Sequence, residues 1–291
     1  MFKPKPSSLF GFLWGIALLV VTELPAQNEK STALNTPLFE KINVDPGYGS
    51  AYADYRINTI EFGAFSLRDA YVSPLRLDGI GIKASSSLLH YTPIALKELN
   101  GSFFAGTAFD NSEDFNLSVL NFAVSYSWQF PIWQRKAWRG YVGPWLQGYG
   151  NFRLAFQNVN NVIGYDAGGE LGTKGRLEYK FKAGRKEYML SQELSVPLVG
   201  TFVRPLYTFT GPIVGETDQE VSVVQIGTLN RRFGWVYKAS LDFYRNRKKK
   251  KQVVAKIPYR ISYSFQYDQY SKPNPAQSAI QTITISKIIK H

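Results

Sequence analysis

The sequence predicts an all-β fold: a closed antiparallel transmembrane β-barrel of about twelve strands, within a range of ten to fourteen. Three observations carry this expectation. Strand-length segments alternate bulky apolar or aromatic residues with polar ones from about residue 57 to the end of the chain. The 291-residue chain opens on an export signal and contains no cysteine. Glycine (24), tyrosine (18) and phenylalanine (20) are abundant while charged residues make up only 19%, a balance suited to a wall that touches lipid and sets aromatic rings near headgroups. A closed sheet is the β-structure that satisfies its backbone polar groups inside a bilayer.

At the N-terminus, Lys3 and Lys5 precede the uncharged run Leu9 to Val21, and small Ala26 follows. These are the parts of a secretory signal, with cleavage expected after Ala26. The apolar run is 13 residues, short of the roughly 20 a spanning helix needs. Residues 1–26 are therefore read as a removed signal and 27–56 as a polar lead-in holding Pro37 and Asp45-Pro46-Gly47. The barrel is expected over 57–291, as one domain without an internal linker.

The absence of cysteine excludes a disulfide framework, a lipid-bearing thiol, thiol catalysis and thiolate metal sites. The formal charge of +12 falls to +11 once the signal's two lysines and Glu23 are removed. In an exported chain the fitting counter-charges are anionic headgroups or lipopolysaccharide phosphates, and no nucleic acid is expected as a partner.

Four segments alternate cleanly. In 118–130, Leu120, Phe122, Val124, Tyr126, Trp128 and Phe130 share one face, opposite Asn121, Ser125, Ser127 and Gln129. In 171–182, Leu171, Thr173, Leu177, Tyr179 and Phe181 oppose Lys174, Arg176, Glu178, Lys180 and Lys182. In 235–243, Trp235, Tyr237, Ala239, Leu241 and Phe243 oppose Lys238, Ser240 and Asp242; near 280–289, Ile283 and Ile285 oppose Thr282, Thr284 and Ser286. The stretch 257–268 alternates over twelve positions, with Tyr259, Ile261, Tyr263, Phe265 and Tyr267 expected outward and Arg260, Ser262, Ser264 and Gln266 inward. Segments of about 9 to 13 residues suit tilted transmembrane strands.

Less regular candidates occupy about 57–66, 78–90, 101–110, 140–152, 186–196 and 219–229, for a total of eleven. Bacterial single-chain barrels normally have an even number, so a twelfth strand is placed at Phe202 to Thr210. With the N-terminus in the periplasm, connections near 67–77, 111–116, 152–164, 197–202, 230–234 and 268–279 face outside. Those near 91–100, 131–139, 183–185, 211–218 and 245–256 face the periplasm. At Gly143-Pro144 a bulge or strand end is expected, because proline lacks the ladder donor.

Alternation also fits a water-soluble sandwich or lipocalin-like barrel. Tyr- and Trp-rich apolar faces and mid-strand charges on the polar faces favour the membrane. Lys174, Arg176, Glu178, Glu193, Lys238, Asp242 and Arg260 are then candidate lumen-facing charges. Arg245, Arg247, Lys248, Lys249, Lys250 and Lys251 form a basic loop that could hold an anionic partner or simply be solvated. The Pro/Gly-rich segment 197–216 could fold over the barrel mouth or form two turns.

His90 beside Ser85, Ser86 and Ser87 raises a serine–histidine hydrolase, but neighbours on one strand do not readily adopt that geometry. Two isolated histidines make poor zinc ligands, and no cofactor is expected. Asn100-Gly101-Ser102 and Asn116-Leu117-Ser118 match a glycosylation pattern that arises often by chance.

The signal, the repeated amphipathic strands and the segment Asp69-Ala70-Tyr71-Val72-Ser73-Pro74-Leu75-Arg76-Leu77-Asp78-Gly79 together resemble a poorly characterised outer-membrane β-barrel family of Bacteroidetes-type bacteria. The resemblance implies location in the outer membrane of a Gram-negative bacterium and brings no catalytic residue to any position. The chain ends Ile288-Ile289-Lys290-His291, without the terminal aromatic residue many such barrels present. The leading functional expectation is a non-enzymatic structural or accessory subunit of an outer-membrane assembly, with a protein partner. A channel for small or anionic solutes is the alternative, and a lipid-acting hydrolase a weaker one.

Overall fold

The computed structural model describes residues 53–69, 73–92, 94–110, 116–135, 137–155, 163–183, 186–204, 223–229, 231–249, 252–271 and 275–290. The expected signal and nearly all of the lead-in lie outside these residues. The sheet begins at Ala53, four residues before the expected start, because Tyr55 already alternates with Asp54 and Arg56 and pairs with Leu89.

Eleven strands are present among the described residues: β1 (Ala53–Asp69), β2 (Ser73–Tyr91), β3 (Leu96–Phe109), β4 (Asn116–Arg135), β5 (Trp138–Leu154), β6 (Ile163–Ala183), β7 (Lys186–Arg204), β8 (Val223–Thr228), β9 (Arg232–Lys249), β10 (Gln252–Tyr270) and β11 (Ala276–Lys290). Each pairs antiparallel with its neighbours, and β11 returns to β1. All except β8 run 14 to 21 residues, beyond the 9 to 13 expected.

The ring holds ten strands, not twelve. One edge of β7 is taken by β6 from Lys186 to Val203. The other edge is shared: Tyr188–Ser195 pairs with β9 and Val199–Arg204 with the short β8. The two therefore occupy successive stretches of one edge, and β8 stands outside the closed ring. The even number comes from this arrangement rather than from a hidden strand. Phe202 to Arg204, expected to begin a twelfth strand, are the end of β7, and the rest of that segment lies outside the described residues.

The connection lists change accordingly. Residues 197–202 lie within β7 instead of linking two strands. Arg204 pairs with Val223, so β7 ends and β8 begins at the same end of the barrel, and the expected connection at 211–218 lies outside the described residues. At Gly143-Pro144 no register shift appears. Pairs to β4 resume on either side, Ser127 with Trp145 and Phe130 with Val142, while the ladder to β6 continues through Pro144 and Thr173. The shift on this hairpin falls instead between Pro131 and Trp133.

Polarity is inverted relative to a soluble protein. Outward residues include Ile60, Phe62, Ile80, Val124, Leu146, Leu171, Ile261 and Ile285, all exposed, with Ile80 at 72%. Arg260, Asp242 and Glu178 are at most 2% exposed. A soluble monomer rarely displays so extensive an apolar surface. Near the β4–β5 and β6–β7 turns, rings stack in succession around the outside: Trp133–Trp138 at 6.1 Å, Trp138–Tyr179 at 4.3 Å, Tyr179–Phe181 at 5.6 Å and Phe181–Tyr188 at 5.3 Å. Such a girdle suits the boundary between hydrocarbon and water.

Apolar side chains close the interior toward both ends. At the end where β1 starts, Tyr55, Ile57, Leu89, Tyr91, Leu96, Met189 and Ile288 form one cluster. Toward the other end, Phe65, Leu67, Leu77, Phe104, Leu117, Val119 and Ile280 form a second. Phe65 fits because Gly79 and Gly106 floor it: a Cβ on either would lie 2.7–2.8 Å from its ring.

Candidate functional site

Between and around these clusters the lumen holds paired charges in two tiers. In the first, β6 contributes Lys174, Arg176 and Glu178 at alternate, inward positions. Lys174 Nζ lies 2.6 Å from Glu98 Oε2 on β3 and 2.9 Å from Glu193 Oε2 on β7. Arg176 pairs with Glu178 at 2.9 Å and Glu193 at 3.2 Å. Tyr91 on β2 donates to Glu178 at 2.9 Å. The register explains the grouping: Arg176 faces Glu193 across β6–β7, and Glu193 faces Lys238 across β7–β9.

Arg260 grips Asp242 through two bonds, Nε at 2.6 Å and a terminal nitrogen at 2.9 Å, the fork geometry of a strong guanidinium–carboxylate pair. On β1, Glu61 accepts from Thr282 and Ser85 and lies 4.0 Å from Lys83.

The second tier lies toward the other end. Arg153 on β5 bridges Asp69 on β1 at 3.0 Å and Asp166 on β6 at 2.7 Å. Asn151 and Tyr270 donate to the same Asp166. Arg232 pairs with Glu170 and, at 3.1 Å, with Asp268, while its guanidinium sits 4.2 Å from the Tyr149 ring centroid. A paired, hydrogen-bonded and ring-stacked cation of this kind is held in one geometry.

These bonds cross the interior. β1 and β5, and β2 and β6, are four strands apart around the ring of ten, yet Asp69–Arg153 and Tyr91–Glu178 join them. Between the tiers a cavity lined by Lys83, Ser102, Asn121, Tyr149, Arg232 and Asp268 has about 40 Å³ of space for water centres. That is room for about three waters.

Thus the seven charges singled out in the sequence all lie on the inner face, and all but Lys238 join close ion pairs shown above. Pattern reading missed Glu61, Asp69, Glu98, Arg153, Asp166, Glu170 and Arg232. Glu98 precedes the expected start of its strand, Asp69 and Arg153 fall in stretches read as connections, and Asp166 and Glu170 fall between the connection 152–164 and the strand expected from 171. A uniform inward period of two carried to the true strand ends would have found them.

His90 faces outward and pairs with Asp54, opposite in register on β1. Ser85 and Ser87 face the lumen, and outward Ser86 donates to Asn58 at 2.8 Å. The serine–histidine constellation is not assembled. The basic loop caps the β9–β10 hairpin, whose backbone pairs as far as Lys249–Gln252, beyond the last pairs with β7 at Phe243 and with β11 at Tyr259. Lys250 and Lys251 lie outside the described residues.

No family model and no curated protein matches the chain. Among solved structures it is similar to the outer-membrane protease OmpT from Escherichia coli, at 8% identity and a TM-score of 0.45, over 82% of this chain and 96% of that one. It is also similar to the translocator domain of the autotransporter NalP from Neisseria meningitidis, at 8% identity and a TM-score of 0.36, over 82% and 89%. The TodX monoaromatic hydrocarbon channel follows at 6% identity and a TM-score of 0.25, over 82% and 89%. Likeness at this level bears on neither activity nor substrate.

Proposed function

We propose that this protein is a non-conducting outer-membrane β-barrel of a Gram-negative bacterium that serves as a structural or accessory subunit of an outer-membrane assembly. The observation that carries the reading is the lumen: it is closed by cross-barrel ion pairs and by apolar clusters toward both ends. Such an interior stiffens a wall and offers no path to a solute. The apolar outer belt and girdle support residence in a bilayer. The projecting basic hairpin supplies a second contact region at the end where β1 starts.

A channel for small or anionic solutes fits less well. Lys174, Arg176 and Arg260 are neutralised by carboxylates instead of lining a free passage. Extraction in mild detergent followed by affinity capture of the full chain tests the assembly role. A protein partner recovered at stoichiometric level is the expected result. Recovery of the monomer alone would count against it.

A further inference from the structure

Past their neighbours, β9 and β10 continue together as a two-stranded ribbon. Residues 244–249 pair with 252–258, while the last pairs to the flanking strands are Phe243 with Tyr188 and Tyr259 with Lys287. β7 begins at Lys186, in register opposite Arg245, and the end of β11 pairs with β1 instead, Lys290 with Tyr55. Among the described residues no strand pairs with the outer edge of either arm. A two-stranded ribbon alone is marginal in water, and an uncovered edge is a template for a further strand.

The two edges differ. On β10, Pro258 lacks a ladder donor and the register shifts between Val253 and Ala255, both of which blunt an edge. On β9 the span is regular: neither proline nor glycine occurs between Tyr244 and Lys249, and the shift leaves its extra residue on β10. What guards this edge is charge. Arg245, Arg247 and Lys249 fall at alternate positions, on one face of the strand, with Lys248 on the other. No carboxylate occurs between Asp242 and Asp268. Like charges placed opposite one another destabilise a strand pair, and opposite charges stabilise it. The edge therefore repels a basic strand, a second copy of itself included, and accepts one with carboxylates at every second residue. Lipid headgroups would meet the charge but make no use of an open ladder edge.

We propose that the β9 edge at residues 245–249 docks an extended acidic segment of a partner protein, which adds a third strand with carboxylates at the positions opposite Arg245, Arg247 and Lys249. Main-chain bonds supply affinity and charge supplies the choice of partner. The inference deepens the assembly role proposed above and rests on it for the existence of a protein partner.

The test is fluorescence anisotropy of labelled peptides titrated with the full chain in phosphatidylcholine nanodiscs, with heat-modifiable gel mobility confirming that each variant is folded. A Glu-Thr repeat is expected to bind and a Lys-Thr repeat to fail. N-methylation of every amide of the Glu-Thr repeat, which keeps its charge and removes its backbone donors, should weaken binding by about tenfold. Arg245→Gln with Arg247→Gln should weaken it by about threefold per charge removed. Lys256→Gln, on the blunted β10 arm, should have a smaller effect. Equal binding of the methylated and unmethylated peptides, or equal losses from Lys256→Gln and Arg247→Gln, would reduce the hairpin to a diffuse cation and overturn strand addition. So would loss of binding when phosphatidylglycerol replaces phosphatidylcholine, since headgroups would then hold the hairpin. Stoichiometric capture of a partner protein by the Arg245/Arg247 variant would overturn this site while leaving the assembly role intact.

Discussion

Arg176→Met is expected to destabilise the barrel by about 3–5 kcal/mol, the cost of removing one partner from a buried ion pair. Methionine is close in length and fills the space, so the loss is electrostatic. Glu178 and Glu193, both buried, lose a cation at 2.9 and 3.2 Å, and Lys174 and Tyr91 are left to hold them. Urea unfolding in lipid vesicles followed by tryptophan fluorescence measures the change. Arg76→Met provides the contrast: its pair with Asp78 is exposed, and such pairs are worth about 0–1 kcal/mol. Adding Glu178→Gln and Glu193→Gln to Arg176→Met should recover part of the loss, because the uncompensated carboxylates are gone. Equal effects for the Arg76 and Arg176 variants would mean that the lumen is wet and open enough to screen its charges.

The second large effect belongs to the outside. Val124 is 59% exposed midway along the longest outward run of β4. In a soluble protein a change at such a position is usually within about 0.5 kcal/mol. On the lipid face of a barrel, arginine near the bilayer midplane costs about 2–4 kcal/mol. Val124→Arg should therefore lower stability in vesicles by that amount and reduce the inserted fraction. A neutral outcome would favour the soluble β-fold that alternation alone also permits.

Much of the architecture was legible in the sequence because a strand's period is two and each face meets a different solvent. The split of Tyr259, Ile261, Tyr263, Phe265 and Tyr267 from Arg260, Ser262, Ser264 and Gln266 can be read from residue type alone. Eleven strand segments were also readable. Closure was not, since a linear pattern cannot reveal that β8 and β9 share one edge of β7. Adding a twelfth strand for parity treated every segment as a full member of the ring.

The lumen site was legible by residue and obscure by partner. Arg176 and Glu193 are 17 positions apart and meet because β6 and β7 form a hairpin. Glu98 and Lys174, on strands that are not neighbours, meet only once the ring closes. Strand ends were the weakest part of the pattern: Arg153 and Asp166 sit where the walls outrun the 9 to 13 residues a bilayer requires, so Arg153 fell in an expected connection and Asp166 before the expected start of its strand.

The closed lumen is tested most directly by planar-bilayer recording of the purified full chain, with insertion verified by heat-modifiable mobility of the same preparation. The cross-barrel pairs and apolar clusters predict a current at baseline, without discrete steps, at either polarity. Stable ohmic steps that scale with salt concentration would contradict a sealed interior and make the protein a channel.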